Sequence, residues 1–144
     1  MTWSWVRERL DPARTYWMAT VDSQHRPSAM PVWGVVVKDD LYLETPAVTR
    51  RARNLASNPA VAVHLELSDH LVAIEGIAEA NIPEPALAAA MATAFAAKYE
   101  TYQPAPTEWD AGGLYVIVPR IVFAWRDMPT ATRWRFSEPA EDAR

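Results

Sequence analysis

Three β-rich stretches separated only by short turns constrain this chain more than anything else in it. "RTYWMATVD" runs into the turn "DSQHRP", "PSAMPVWGVVVKD" runs into "KDD", and "LYLET" closes the series. β-branched and aromatic side chains suit a pleated surface, and turns this short join neighbouring strands of a meander. The middle stretch reads as one long strand bent near Pro31 and Gly34, the two residue types that disturb a ladder.

The period then changes. In "VTRRARNLASN", Val48, Ala52, Leu55 and Ala56 recur at helical spacing, which predicts a short amphipathic helix. Asn58-Pro59 ends it, because the residue before proline avoids helical geometry. "AVAVHLEL" and "LVAIEGIAEANI" read as strands. "PEPALAAAMATAFAAKYETY" reads as an alanine-rich helix with proline near its start. "QPAPTEWDAGG" is a loop, "LYVIVPRIVFAW" a strand interrupted at Pro119, and "TRWRF" a last short strand. Trp3, Val6 and Leu10 predict an N-terminal helix over 3–10. The expected fold is mainly β: six or seven antiparallel strands in a closed or nearly closed small barrel, with helices plugging or flanking it. No repeat or linker divides the chain. Residues 1–136 are expected to form one domain, and 137–144 a disordered tail.

Composition removes several functions. The 144 residues suit one domain with a real core. No cysteine is present, which excludes disulfides, thiolate metal sites and cysteine nucleophiles. A net charge of −4 argues against general nucleic-acid binding. No apolar run reaches the roughly 18 residues of a spanning helix, and the start lacks signal-peptide character, so a soluble cytoplasmic protein is expected. Only four glycines occur, and no phosphate loop or dinucleotide fingerprint can be built from them. Any phosphate must be held another way.

Arg50, Arg51 and Arg53 stand within four positions of an otherwise acidic chain. They fall at the start of the predicted short helix, where orphan N–H groups and the macrodipole favour an anion. Arginine there opposes helix stability by about a few tenths of a kcal/mol each. A bound phosphate would reverse that sign, and Thr45 and Thr49 add hydroxyls nearby. Arg50, Arg53 and Asn54 share one face at i, i+3, i+4. The alternative is a solvated basic face paired with Glu44 or Glu66.

The order of these elements, the motif T-x-x-x-T-R-R-x-R-N-L-x-x-N-P-x-V and the following "EG-x-A" together resemble the pyridoxamine 5′-phosphate oxidase-like split β-barrel family. The similarity covers about residues 14–136 and is strongest to the actinobacterial branch of flavin- and deazaflavin-dependent oxidoreductases. The resemblance implies an FMN-binding type of split barrel and a homodimer with cofactor sites at the subunit interface. It places Thr45, Thr49, Arg50 and Arg51 at the cofactor phosphate, with Arg53 and Asn54 in the same motif. It sets Met30, Val32 and Trp33 along the ring. Trp134 and Arg135 are implied to reach the partner's site. The family often has lysine where Arg51 stands; arginine keeps the charge and adds a planar fork suited to phosphate.

No acid, base or nucleophile stands out. His25 falls in a turn, His64 in a strand and His70 at a strand start, without metal-ligand spacing on a shared element. Glu44 and Glu75 read as structural pairing partners. The implied activity is hydride transfer between FMN or coenzyme F-420 and a small conjugated substrate, with a tilt toward the deazaflavin. The alternative is a non-catalytic flavin- or haem-binding protein, which for haem needs one of those histidines as axial ligand.

Overall fold

The long second strand breaks at Trp33, and that break closes the sheet on itself. The computed structural model, which describes residues 1–137, has β1 (Tyr16–Val21), β2 (Pro27–Val32), β3 (Gly34–Val37) and β4 (Asp40–Glu44), then β5 (Ala60–Leu65), β6 (Leu71–Ala80), β7 (Leu114–Trp125) and β8 (Thr132–Arg135). The helices are α1 (Trp3–Leu10), α2 (Arg50–Ser57) and α3 (Pro85–Lys98). All pairings are antiparallel, in the order β2-β1-β5-β6-β7-β4-β3, with β8 beside β7. β2 and β3 are consecutive in the chain yet lie at opposite ends of that order. The sheet therefore curls until its edges meet at the bend, giving a split barrel. Counted as one bent strand, β2–β3 makes seven, as expected from the sequence. The expected tail lies, from Glu138 onward, outside the described residues.

Gly34 makes the bend possible. A Cβ there would lie 2.5 Å from Leu43 Cδ2 and 2.7 Å from the Tyr42 carbonyl. A second glycine corrects an expectation. β7 is not interrupted at Pro119 but runs for 12 residues through it. The register slips between Glu75 and Gly76, which pair with Ile121 and Pro119, so Arg120 is the extra residue of a bulge. A bulge accommodates a proline that cannot donate to the ladder. Gly76 admits the close backbone there, since a Cβ would meet the Val118 carbonyl at 2.1 Å.

Two apolar clusters hold these elements. Inside the curl, Tyr16 and Met18 of β1, Val61 and Val63 of β5, Val72 and Ile74 of β6 and Val122 of β7 pack with Val6 and Leu10 of α1. Outside it, Val35 and Tyr42 pack with Met91, Phe95, Tyr99 and Trp109, from α3 and the loop after it. No helix among the described residues is long and apolar enough to cross a membrane.

The inward face of α2 differs from the expected one. Ala52, Asn54 and Leu55 are buried, whereas Val48 is 85% exposed and Ala56 is also exposed. The helix begins only at Arg50, capped by Thr49, so Val48 never joins its stripe. Asn54 leaves the expected arginine face and donates from Nδ2 to Thr20 Oγ1 of β1, 3.0 Å away and buried. Asn54→Ala strands the Thr20 hydroxyl and is expected to cost about 1–3 kcal/mol in urea unfolding.

Candidate functional site

The α2 start is built by Thr49, whose Oγ1 accepts the Ala52 N–H at 3.2 Å and donates to the Pro46 carbonyl at 2.8 Å. No acidic residue occupies the first turn. The two adjacent arginines have different surroundings. Arg50 reaches across to the β1–β2 hairpin, its Nη2 lying 3.5 Å from Asp22 Oδ2. Hydrogen bonds from the Arg26 N–H first, and then its side chain, hold the Asp22 carboxyl down at about 2, so this counter-ion is charged at neutral pH. Arg53 is exposed and donates to the Val48 carbonyl at 3.3 Å.

Arg51 is partly buried, and its Nε is enclosed with no hydrogen-bond partner. No carboxylate pairs with it among the described residues. Burial pulls its pKa below the ordinary arginine value. A buried guanidinium nitrogen without a partner, on a cation at a helix N-terminus, is unfavourable on both counts until an anion joins it. The counter-ions considered from sequence are engaged elsewhere. Glu44 accepts from Tyr102 Oη at 2.8 Å and Trp109 Nε1 at 3.3 Å, and Glu66 from Trp17 Nε1 at 3.4 Å.

The chain leads from the bend to this helix start through β4. The Trp33 carbonyl accepts the Glu44 N–H at 3.0 Å, and residues 45–49 lead from there into α2. Trp33 is 43% exposed and Met30 49% exposed. One Trp33 face stacks on Tyr99 with centroids 4.4 Å apart and planes 12° apart, and its ring also leans on Tyr102. Two features stand out among the expected residues: the unpartnered Nε of Arg51 and the exposed, buttressed ring of Trp33.

Thr45 and Val32 turn inward. Thr45 is buried and its hydroxyl donates to Met18 Sδ at 3.8 Å, so its side chain does not face the helix start. Val32 is buried in the barrel core. Trp134 packs edge-on against Trp3, with centroids 5.6 Å apart. His25 is exposed in the β1–β2 turn, His64 stacks on Trp17, and His70 sits 3.1 Å from Asp69.

Sequence reading missed the aromatic buttress of Phe95, Tyr99, Tyr102 and Trp109. Its signal was present in the steps of four and three residues from Phe95 to Tyr99 to Tyr102, a helical stripe continuing past the end of α3. Glu44 anchors that buttress. Burial raises its pKa, against the lowering effect of its Tyr102 and Trp109 donors. A raised carboxyl binds protons more readily in the folded chain than in the unfolded one, so stability is gained as pH falls through that window and lost as pH rises. Glu44→Gln keeps an acceptor and removes the titration. Wild-type melting temperature is therefore expected to rise relative to Glu44→Gln as pH drops from neutral toward the ordinary glutamate range.

The curled antiparallel sheet, with α1 packed inside it and α3 outside it, defines a split β-barrel. Residues 4–125 match the family model described as pyridoxamine 5′-phosphate oxidase, and the chain belongs to that family. No curated protein matches it in sequence. Among solved structures, it is similar to conserved hypothetical protein Rv2991 from Mycobacterium tuberculosis, at 24% identity and TM-score 0.73, over 87% of this chain and 84% of that one. It is also similar to an F-420 reductase, at 22% identity and TM-score 0.61, over 78% of this chain and 91% of that one. HutZ, the haem storage protein from Vibrio cholerae, aligns at 18% identity and TM-score 0.64, over 81% of this chain and 86% of that one. At these identities the likeness is one of fold.

Proposed function

We propose that this protein is a flavin- or deazaflavin-dependent oxidoreductase that passes a hydride between its cofactor and a small conjugated substrate. The observation that carries this reading is the buried, unpartnered Nε of Arg51, a cation without a carboxylate partner among the described residues, at the start of α2. FMN and coenzyme F-420 both bring a phosphate and a tricyclic ring, and the phosphate fits that guanidinium. Arg51 and the first-turn N–H groups would hold the phosphate; Arg50 would add its charge from the Asp22 side, and Arg53 stands by in solvent. Met30 and Trp33, exposed along the bend, would flank the ring. The ring supplies the hydride chemistry, while the chain binds, orients and shields it.

The deazaflavin is the preferred cofactor, supported by the resemblance to the actinobacterial branch and by the F-420 reductase among the structural neighbours. A homodimer is part of the proposal. Ala29, Met30 and Pro31 leave β2 open to solvent, and Trp134 and Arg135 would complete the partner's site. The haem-holding alternative draws on the HutZ likeness and needs a histidine ligand. Mixing the purified protein with FMN, F-420 and haem in turn, and recording absorbance, tests the reading. The expected result is a perturbed flavin or deazaflavin band, followed by oxidation of the reduced cofactor when a quinone or enone is added. A haem Soret shift abolished by replacing His25, His64 or His70, with no response to either tricyclic cofactor, would overturn it.

A further inference from the structure

Lys98, one of only two lysines in the chain, ends α3 and is partly buried. Its Nζ donates to the Ala13 carbonyl at 2.9 Å, to Tyr16 Oη at 3.0 Å and to the Gly34 carbonyl at 3.0 Å. Those acceptors belong to the α1–β1 connection, β1 and β3. The next residue completes the grip, because Tyr99 Oη accepts the Gly34 N–H at 2.9 Å. Consecutive residues of α3 and its end thus hold both backbone polar groups of Gly34. The residue before Gly34 is Trp33, whose ring stacks on Tyr99.

We propose that Lys98 is a positioning residue: its ammonium clamps the β2–β3 bend and thereby fixes the Trp33 ring, making that ring's placement sensitive to pH. That Trp33 faces a cofactor rests on the reading above; the clamp itself does not.

All three acceptors are neutral oxygens, so the bonds need the full complement of ammonium protons. A neutral amine donates at most two. The surrounding charges are few. Asp11, at the end of α1, favours the ammonium, and Arg14, in the α1–β1 connection, opposes it. Arg14 is itself 3.6 Å from Glu100, just beyond α3. Tyr16 and Tyr99 have pKa values raised by burial and stay protonated, and β3 presents Val35 and Val36. A cavity of about 490 Å³ is lined by Asp11, Arg14, Val35, Val36 and Lys98 among others. Burial lowers the Lys98 pKa from 10.5 to about 8, within reach of ordinary buffers.

The sign separates the clamp from global unfolding. Between about 8 and 10.5 the unfolded chain binds the extra proton, so the group's contribution to overall stability grows as pH rises. Loss of Trp33 order over the same range is therefore local.

The test is near-UV circular dichroism of the full chain without cofactor, with Trp33→Phe subtracted to isolate the Trp33 contribution. In wild type that contribution is expected to fall about twofold or more, centred near pH 8, while the far-UV spectrum stays constant. Lys98→Met should show the reduced signal at every pH. A flat wild-type titration, or a folded Lys98→Met protein with the full wild-type signal, overturns the proposal. If Lys98→Met does not fold, the wild-type titration decides alone. Should wild type bind FMN or F-420, Lys98→Met is expected to bind about tenfold more weakly. Failure of wild type to bind either cofactor defeats the functional reading, and the optical titration still decides the clamp.

Discussion

Arg51→Ala is expected to weaken FMN or F-420 binding by about ten- to a hundredfold while leaving the protein at least as stable as wild type. Charge-assisted hydrogen bonds to phosphate are each worth about 1.5–3 kcal/mol. Arg51 contributes no ion pair to the apo fold among the described residues, and its enclosed Nε lacks a partner. Removing it therefore breaks no ion pair and relieves a misplaced charge, which offsets the lost packing of its stem. Arg50→Ala should cost less affinity, because Arg50 already shares its charge with Asp22. Arg51→Lys should fall between the two, keeping the charge but losing the fork. Fluorescence titration gives the affinities and urea unfolding the stabilities. Equal loss of stability and affinity in Arg51→Ala would mean that the residue is structural.

Phe95→Ala is expected to destabilise the fold by about 4 kcal/mol, a large part of the roughly 5–15 kcal/mol available to a domain of this kind. Phe95 is fully buried, and its ring centroid lies 5.9 Å from Tyr99, 5.8 Å from Tyr102 and 5.6 Å from Trp109. No neighbour can fill the space without dismantling the stack beneath Trp33. Phe95→Leu keeps most of the volume and should cost about 1–1.5 kcal/mol. Denaturant unfolding measures both. The near-UV spectrum of Phe95→Ala, recorded where it is still folded, should also lose the Trp33–Tyr99 contribution.

The strands and helices were legible because the periods of burial are strong. β5 alternates exposed and buried along its whole length, as "AVAVHL" implies. The change to helical spacing after Glu44 was equally clear. What failed were details set by partners far along the chain. Pro119 looked like a break because the bulge that absorbs it is made with Gly76 on another strand. Val48 looked apolar and periodic, but the Thr49 cap starts the helix after it.

At the candidate site, the arginine cluster was visible but not the difference within it. Asp22, which satisfies Arg50, belongs to the β1–β2 hairpin, and no local pattern shows that it turns toward α2. Thr45 and Val32 stand at motif positions, yet both are buried: Val32 on the inward face of β2, and Thr45 where its N–H donates to the Gly113 carbonyl at 2.7 Å. The aromatic buttress stayed hidden for the same reason. Tyr102 and Trp109 meet through Phe95 and through the Glu44 carboxylate, which is far away in sequence.

The central claim is that the α2 start holds the phosphate of a tricyclic cofactor through Arg51. Comparing each cofactor with its phosphate-free counterpart tests it most directly: FMN against riboflavin, and F-420 against its bare deazaflavin chromophore. The expected result is that one phosphorylated cofactor binds wild type about a hundredfold more tightly than its counterpart, and that the difference nearly vanishes in Arg51→Ala. Equal affinity of the two forms for wild type, or an advantage for the phosphate that survives Arg51→Ala intact, would contradict it.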